Sequence, residues 1–392
     1  MKMNKKIKST FYLLSVLAVL FMLFFCKKKE SPVYVHKVNT ADSTMLDLSS
    51  YSVKKIHVGD KISNVPLASQ IVKMGDKDKY VLLDDSKLYI FDYEEGELED
   101  SISLEKCGKL SVYSGFTYVN EDTILVYNYS DNLLFGINKS GGVFSTWKIP
   151  QNEDKIEWVN SINALNISKI GFYDSLVIIS GGILGSIRES RIKNIPVSES
   201  LNIKTGKWVK RLSYPAEYST NNYGTIYLNR IYASMGRDKH YIYGFPIDTK
   251  VLSFSSDFKR CDTLCIQSRY DKGRKPCTIH QNEVEDDDTN EIQYYVSQLS
   301  YSDLIYDSYR DYIIRVVNHP LKNWTYNKPF TQPRSFIIAD SKGSILSESC
   351  ILTDVINLNF GNMHICSDGL IIAECTKNEN DITFRCYNIR NR

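Results

Sequence analysis

The sequence predicts an all-β chain folded as a β-propeller of six or seven blades, each a four-stranded antiparallel sheet. Three observations carry this. Short apolar bursts separated by turn residues run through the chain, with almost no long 3.6-residue periodicity. One strand–turn–strand plan recurs, with equivalent starts at Tyr80, Ile124, Leu176, Tyr241, Ile313 and Leu370, spaced 44, 52, 65, 72 and 57 residues apart. Blades run roughly 40–50 residues, so the longer steps read as blades with insertions. The composition, 43% hydrophobic and 24% charged over 392 residues, is globular and excludes disorder, collagen and coiled coil. A pair of β-sandwiches is the competing architecture.

Residues 1–25 come first. Lys2, Lys5, Lys6 and Lys8 precede an apolar run from Phe11 to Phe25 that stops at Cys26. This is the plan of an export signal, and as a helix the run reaches only roughly 22 Å, short of a ~30 Å hydrocarbon core. The cysteine directly after it resembles a bacterial lipoprotein signal, which makes Cys26 the expected lipidation site and membrane contact. Leu23-Phe24-Phe25 departs from the small residues usual there; an uncleaved anchor and plain secretion are the other readings. Removing the four leader lysines from the net charge of +2 leaves −2, so no basic field is left to attract nucleic acid. The expected place is extracytoplasmic, lipid-anchored at the outer membrane on its periplasmic or cell-surface side.

A polar tether, 26–43, leads into the propeller domain, 44–392. Tyr51–Val58 is placed to close the ring by pairing with the last blade, which protects edges that a linear array leaves open. The first repeat is the clearest: Lys79–Asp84, an Asp84-Asp85-Ser86 turn, Lys87–Asp92, a Glu94-Glu95-Gly96 turn, and a third strand from Glu97 to Leu104. Asp and Ser close such turns with their side chains and Gly supplies positive φ. The longest insertion, 267–303, begins basic and turns acidic, with a short helix expected around Glu291–Leu299. Long loops on a rigid scaffold are where binding concentrates.

Eight cysteines remain beyond Cys26. Cys350, Cys366, Cys375 and Cys386 sit in or beside apolar stretches and read as buried free thiols. Cys261, Cys265, Cys277 and His280 have ligand-like spacing, but Cys261 and Cys265 lie at i and i+4 of an expected strand, ~13 Å apart, too far for one zinc ion. No metal or cofactor is expected, and a disulfide through Cys277 stays open. Asp286, Asp288 and Asn290 begin like a calcium loop, yet Glu291 replaces the required Gly. Hydrolase, zinc-peptidase and nucleotide-binding motifs are missing.

The densest aromatic and cationic patch is Tyr306, Tyr309, Arg310, Tyr312 and Arg315. Arginine beside tyrosine suits an anionic or sugar ligand through bidentate bonds and stacking, and equally suits contacts between blades. Tyr301–Arg315, Tyr214–Tyr218, Lys87–Asp92, Asn120–Leu125 and Ser367–Leu370 together resemble an uncharacterised family of Bacteroidetes lipoproteins with a six- or seven-bladed propeller, a domain of unknown function. Ser308 stands where that family's motif has proline. The resemblance implies a fold and a surface address, with no activity attached. The functional expectation is a binding or scaffold module for a protein or glycan ligand. The alternatives are a carbohydrate-active or other hydrolytic or lyase enzyme with carboxylates gathered at the channel, and a structural component of an envelope complex.

Overall fold

The computed structural model describes residues 45–390 apart from 112, 151–160, 163–168, 183–194, 222, 224–226, 237–239, 274, 277–287, 326–327 and 329. Cys26, the leader and tether, Cys277, His280 and Asp286 lie outside the described residues. The chain opens with β1 (Ser52–His57) and then builds six blades. Blade one is β2 (Ala68–Met74), β3 (Lys77–Asp84), β4 (Lys87–Asp92) and β5 (Leu98–Ser103). Blade two is β6 (Gly115–Asn120), β7 (Thr123–Asn128), β8 (Leu133–Ile137) and β9 (Val143–Lys148). In blade three the first strand is split into β10 (Ser161–Ile162) and β11 (Gly171–Tyr173), both pairing β12 (Leu176–Gly182), followed by β13 (Pro196–Asn202) and β14 (Lys207–Ser213). Blade four is β15 (Tyr232–Met235), β16 (Tyr241–Gly244), β17 (Lys250–Phe254) and β18 (Cys261–Cys265). Blade five is β19 (Ser300–Asp307), β20 (Tyr312–Asn318), β21 (Arg334–Asp340) and β22 (Ile345–Glu348). Blade six is β23 (Leu358–Cys366), β24 (Gly369–Glu374) and β25 (Asp381–Asn388), completed by β1.

All six repeat starts read from the sequence fall on the second strand of their blade: β3, β7, β12, β16, β20 and β24. The reason is burial on both faces. Val81 and Leu83 enter the core between blades one and two, while Tyr80 and Leu82 enter the core between blades six and one. A strand buried on both faces reads as a continuous apolar run, and those runs are what the periodicity detected. Six hydrophobic cores result, one at each junction between neighbours, including the junction of the last blade with the first. The first strands of neighbouring blades touch one another, which places them innermost around the channel.

Ring closure follows the expectation. β1 pairs antiparallel with β25 from Ser52 opposite Cys386 to His57 opposite Asp381. Its Ile56 is fully buried, and Leu46 bridges Ile389 beyond the strand. The 267–303 segment contains a helix, α2 (Asp288–Ser297), a turn earlier than expected, while α1 is a single turn at Glu217–Thr220. β19 starts at Ser300, inside that segment. The cysteine reading needs one correction. Cys366 and Cys386 are buried, but Cys350 and Cys375 are exposed, because both lie in connections just past a strand rather than inside a ladder.

The connections differ sharply between the two ends of the ring. At one end, first-to-second and third-to-fourth strand turns are short, such as 75–76, 121–122, 174–175 and 367–368, and none is longer than 255–260. At the other end lie the links between blades and between second and third strands, including 183–195, 214–231, 266–299 and 319–333.

Candidate functional site

The segment 306–315 folds as the tip of the β19–β20 hairpin, at the short-turn end. Arg315 is interior, with 1% exposure, and points into the junction between blades four and five. Its guanidinium donates to the backbone carbonyls of Phe245, Asp248, Thr249 and Ile266 and lies 3.7 Å over the Tyr301 ring. Tyr312 is buried in the core between blades five and six. Both side chains are therefore spent on holding neighbours together. Arg310 reaches from blade five to blade six, donating to the carbonyls of Cys366, Ser367 and Ile389 while paired with Asp307 at 3.1 Å. Tyr309 donates to Asp78 of blade one at 2.5 Å, and Asp78 also accepts from the Ser367 amide at 3.1 Å, so three hairpins are buckled at one carboxylate. Burial and that carboxylate raise the Tyr309 pKa. Tyr306 donates to Asp311. Arg310 also lines a groove of about 680 Å³ with Ser52, Ser367, Asp368 and Arg390.

The insertion-bearing end gathers a different set. The β19–β20 ladder skips a residue, with Ser302 opposite Val316 and Leu304 opposite Arg315, so Asp303 is the extra residue of a β-bulge. A bulge re-aims a side chain that the regular pleat would direct elsewhere. Asp303 is buried, and desolvation raises its carboxyl pKa against the opposing pull of Arg334 and Arg230. Arg334, the first residue of β21, holds Nη1 3.6 Å from Asp303 and lies 3.7 Å over the Phe360 ring. Its Nε and Nη1 have no hydrogen-bond acceptor among the described residues. Arg230 is exposed and close enough to act on Asp303, Tyr232 and Tyr295. Tyr295 of α2 stacks on Tyr227 at 4.8 Å and 17°, and Tyr227 meets the half-exposed Phe330 edge-on at 6.0 Å. Arg230 and three aromatic rings from connections 214–231, 266–299 and 319–333 thus gather beside Asp303 of β19 and Arg334 at the start of β21.

Sequence reasoning pointed to the long insertion but not to these residues. The bulge at Asp303 leaves no mark in composition, and Arg230, Tyr295 and Arg334 are far apart along the chain. The innermost strands bring together hydroxyls, amides and bases. Gln70 donates to the Phe116 carbonyl at 2.8 Å and Thr117 to that of Ile170 at 2.7 Å, knitting blades one, two and three. Among the described residues no cluster of His, Cys, Asp and Glu has metal-binding geometry, and no helix is long and apolar enough to cross a membrane.

Comparison with known proteins adds the family. A structure of a DUF4221 member from Bacteroides vulgatus is similar over 88% of this chain and 99% of its own, at 18% identity and a TM-score of 0.70. A Bacteroides fragilis protein whose export is itself inferred is similar over 90% of this chain and 98% of its own, at 9% identity and a TM-score of 0.58. At those identities the likeness is one of fold. No curated protein matches the sequence significantly. The model of the domain of unknown function DUF4221 matches residues 45–336, most of the propeller, and the chain belongs to that family.

Proposed function

We propose that this chain is an exported binding module of the cell envelope, held at the outer membrane by lipid on Cys26, whose insertion-bearing end docks a protein partner. The observation that supports this reading most is the asymmetry of the ring: the long connections lie at one end, and they carry Arg230, Tyr227, Tyr295 and Phe330 beside Asp303 of β19 and Arg334 at the start of β21. Tyrosine and arginine dominate the residues that carry binding energy at protein interfaces. Export fits both the leader and the similar fold of the Bacteroides fragilis protein whose export is inferred.

The test is saturable binding of the purified domain to isolated envelopes. The double variant Arg230→Ala/Tyr295→Ala should bind at least about tenfold more weakly with its thermal unfolding retained, while Arg390→Ala at the opposite end should bind as wild type. Equal binding by all three sinks the proposal. Protease treatment of the envelopes should abolish binding; survival of binding after protease and its loss after glycosidase would move the ligand to a glycan. Acyl labelling should disappear in Cys26→Ala.

A further inference from the structure

Where the ring closes, a groove opens that the docking end does not use. β25 ends and β1 begins at the short-turn end, and between them and the hairpin turns of blades five and six lies the space of about 680 Å³ lined by Ser52, Arg310, Ser367, Asp368, Asn388 and Arg390. Its walls are held in place. The Ser367 amide donates to Asp78 at 3.1 Å while its carbonyl accepts from Arg310 Nη2 at 2.6 Å, and the Arg390 amide donates to the Met45 carbonyl at 2.9 Å. A guanidinium has five N–H donors, and Arg310 uses four of them, on Ile389, Asp307, Cys366 and Ser367, so one Nη2 N–H is left over among the described residues. A site whose backbone is fixed before a ligand arrives loses little entropy when one binds.

The charges of the lining are of both signs and are kept apart. Asp307 at 3.1 Å already balances Arg310, which leaves Asp368 and Arg390. Both are exposed, and among the described residues neither forms an ion pair, with the other or with a third group. The carboxylate that feels the Arg390 charge, Asp47, is taken up by Ser49 and Ser50. An anion at Arg390 meets the Asp368 carboxylate in the same space, and a cation at Asp368 meets Arg390, so only a ligand that carries both charges satisfies both. The exposed Ser52, Ser367 and Asn388 add hydroxyls and a carboxamide that donate and accept alike, as the N–H and C=O of a peptide unit require. The volume lies in the range of roughly 300–1,000 Å³ usual for small-molecule sites, more than a single ion fills.

We propose that this groove binds a short free peptide, of di- or tripeptide size, with its carboxylate against Arg390 and the spare N–H of Arg310 and its ammonium against Asp368. Ser52, Ser367 and Asn388 take the peptide units between. A short fragment carries a charge at each end, which a segment inside a longer chain lacks, so the groove selects cleaved peptides over intact protein. The site lies at the end opposite the docking surface and is independent of it.

Calorimetric titration of the purified protein near neutral pH with trialanine, its N-acetyl form, its C-terminal amide and glycerophosphoethanolamine tests this. Trialanine should bind at least about tenfold more tightly than either blocked form, since each lacks one charge-assisted contact. Arg390→Ala should bind trialanine no better than wild type binds the amide, and Asp368→Asn no better than wild type binds the N-acetyl form. Both side chains are on the surface, so the unfolding temperatures of the two variants should match wild type. Absence of trialanine binding, a blocked form that binds equally well, or a preference for the free carboxylate that survives Arg390→Ala would each overturn the proposal. Tighter binding of glycerophosphoethanolamine than of trialanine would overturn it as well, in favour of a lipid headgroup.

Discussion

Arg315 shows how one side chain can suit two readings until its partners are known. Beside tyrosines in the sequence it looked fit for a ligand, but its N–H groups go to carbonyls of residues 245–266, brought alongside by the packing of blade four on blade five. No local pattern announces partners roughly 50–70 residues away along the chain. Arg315→Leu strips those carbonyls of their donor inside the protein and should cost about 3 kcal/mol or more in urea unfolding. Arg315→Lys should fall between, since an ammonium cannot reproduce the planar fork. A second buried charge, Lys79, is held by Asp92 at 2.8 Å and Glu99 at 2.6 Å. Hydrogen bonds from Lys79 and the Glu95 amide keep the Asp92 carboxyl well below its usual range. Asp92→Ala should destabilise by about 2–3 kcal/mol, with Glu99 left to hold Lys79. The Asp92 contribution is present above the unfolded carboxylate pKa and is lost as pH falls toward the lowered folded value, so the gap between wild type and variant should narrow in acid.

Elements were legible where burial on both faces writes itself into the chain. The second strands stood out for that reason, and β1 was recognised as a spare strand with a vacant edge waiting at the other end of the sequence. Bulges were not legible: Asp303 and Asn362 occupy positions skipped by the ladder in inner strands, and nothing in their residue type marks them. The β1 closure carries a pH dependence of its own. His57 Nδ1 lies 3.0 Å from Asp381, and that hydrogen bond, with the aspartate's charge, raises the histidine pKa above its usual value. A raised folded pKa gives stability that is complete below the unfolded value of about 6.5 and is lost as pH rises through the folded value. Wild type should therefore lose thermal stability relative to His57→Gln from about pH 6 to pH 8, a trend that a scan of unfolding temperature against pH would measure. Next to it, Gly96 has φ of +76° and a Cβ there would collide with the Lys55 carbonyl of β1. Gly96→Ala should cost about 1–3 kcal/mol, felt first as looser protection of the β1 amides in hydrogen exchange.

At the scale of the whole molecule, six cores in a ring mean that no blade is terminal, and each is buttressed on both sides. Deleting residues 45–58 opens the ring by exposing the outer edge of blade six and removing Met45, Leu46, Leu48 and Ile56 from two cores. Its thermal melt should show an additional, earlier transition, whereas the intact ring should melt in one. The architecture was readable because the repeat is; which end carries the long connections was not, because the direction of each connection is revealed only by the blade order. The same closure also sets an order of events in time. β1 is among the first strands made, yet its partners lie more than 320 residues later, as the 324-residue separation of His57 and Asp381 shows. Contacts so distant in sequence form slowly, because the closure entropy of nearly the entire chain precedes any reward. The strand made first is thus paired last, and until blade six emerges the nascent protein carries an unclaimed edge at each end, a window in which an escort that shields β1 would decide between a closed ring and an aggregate.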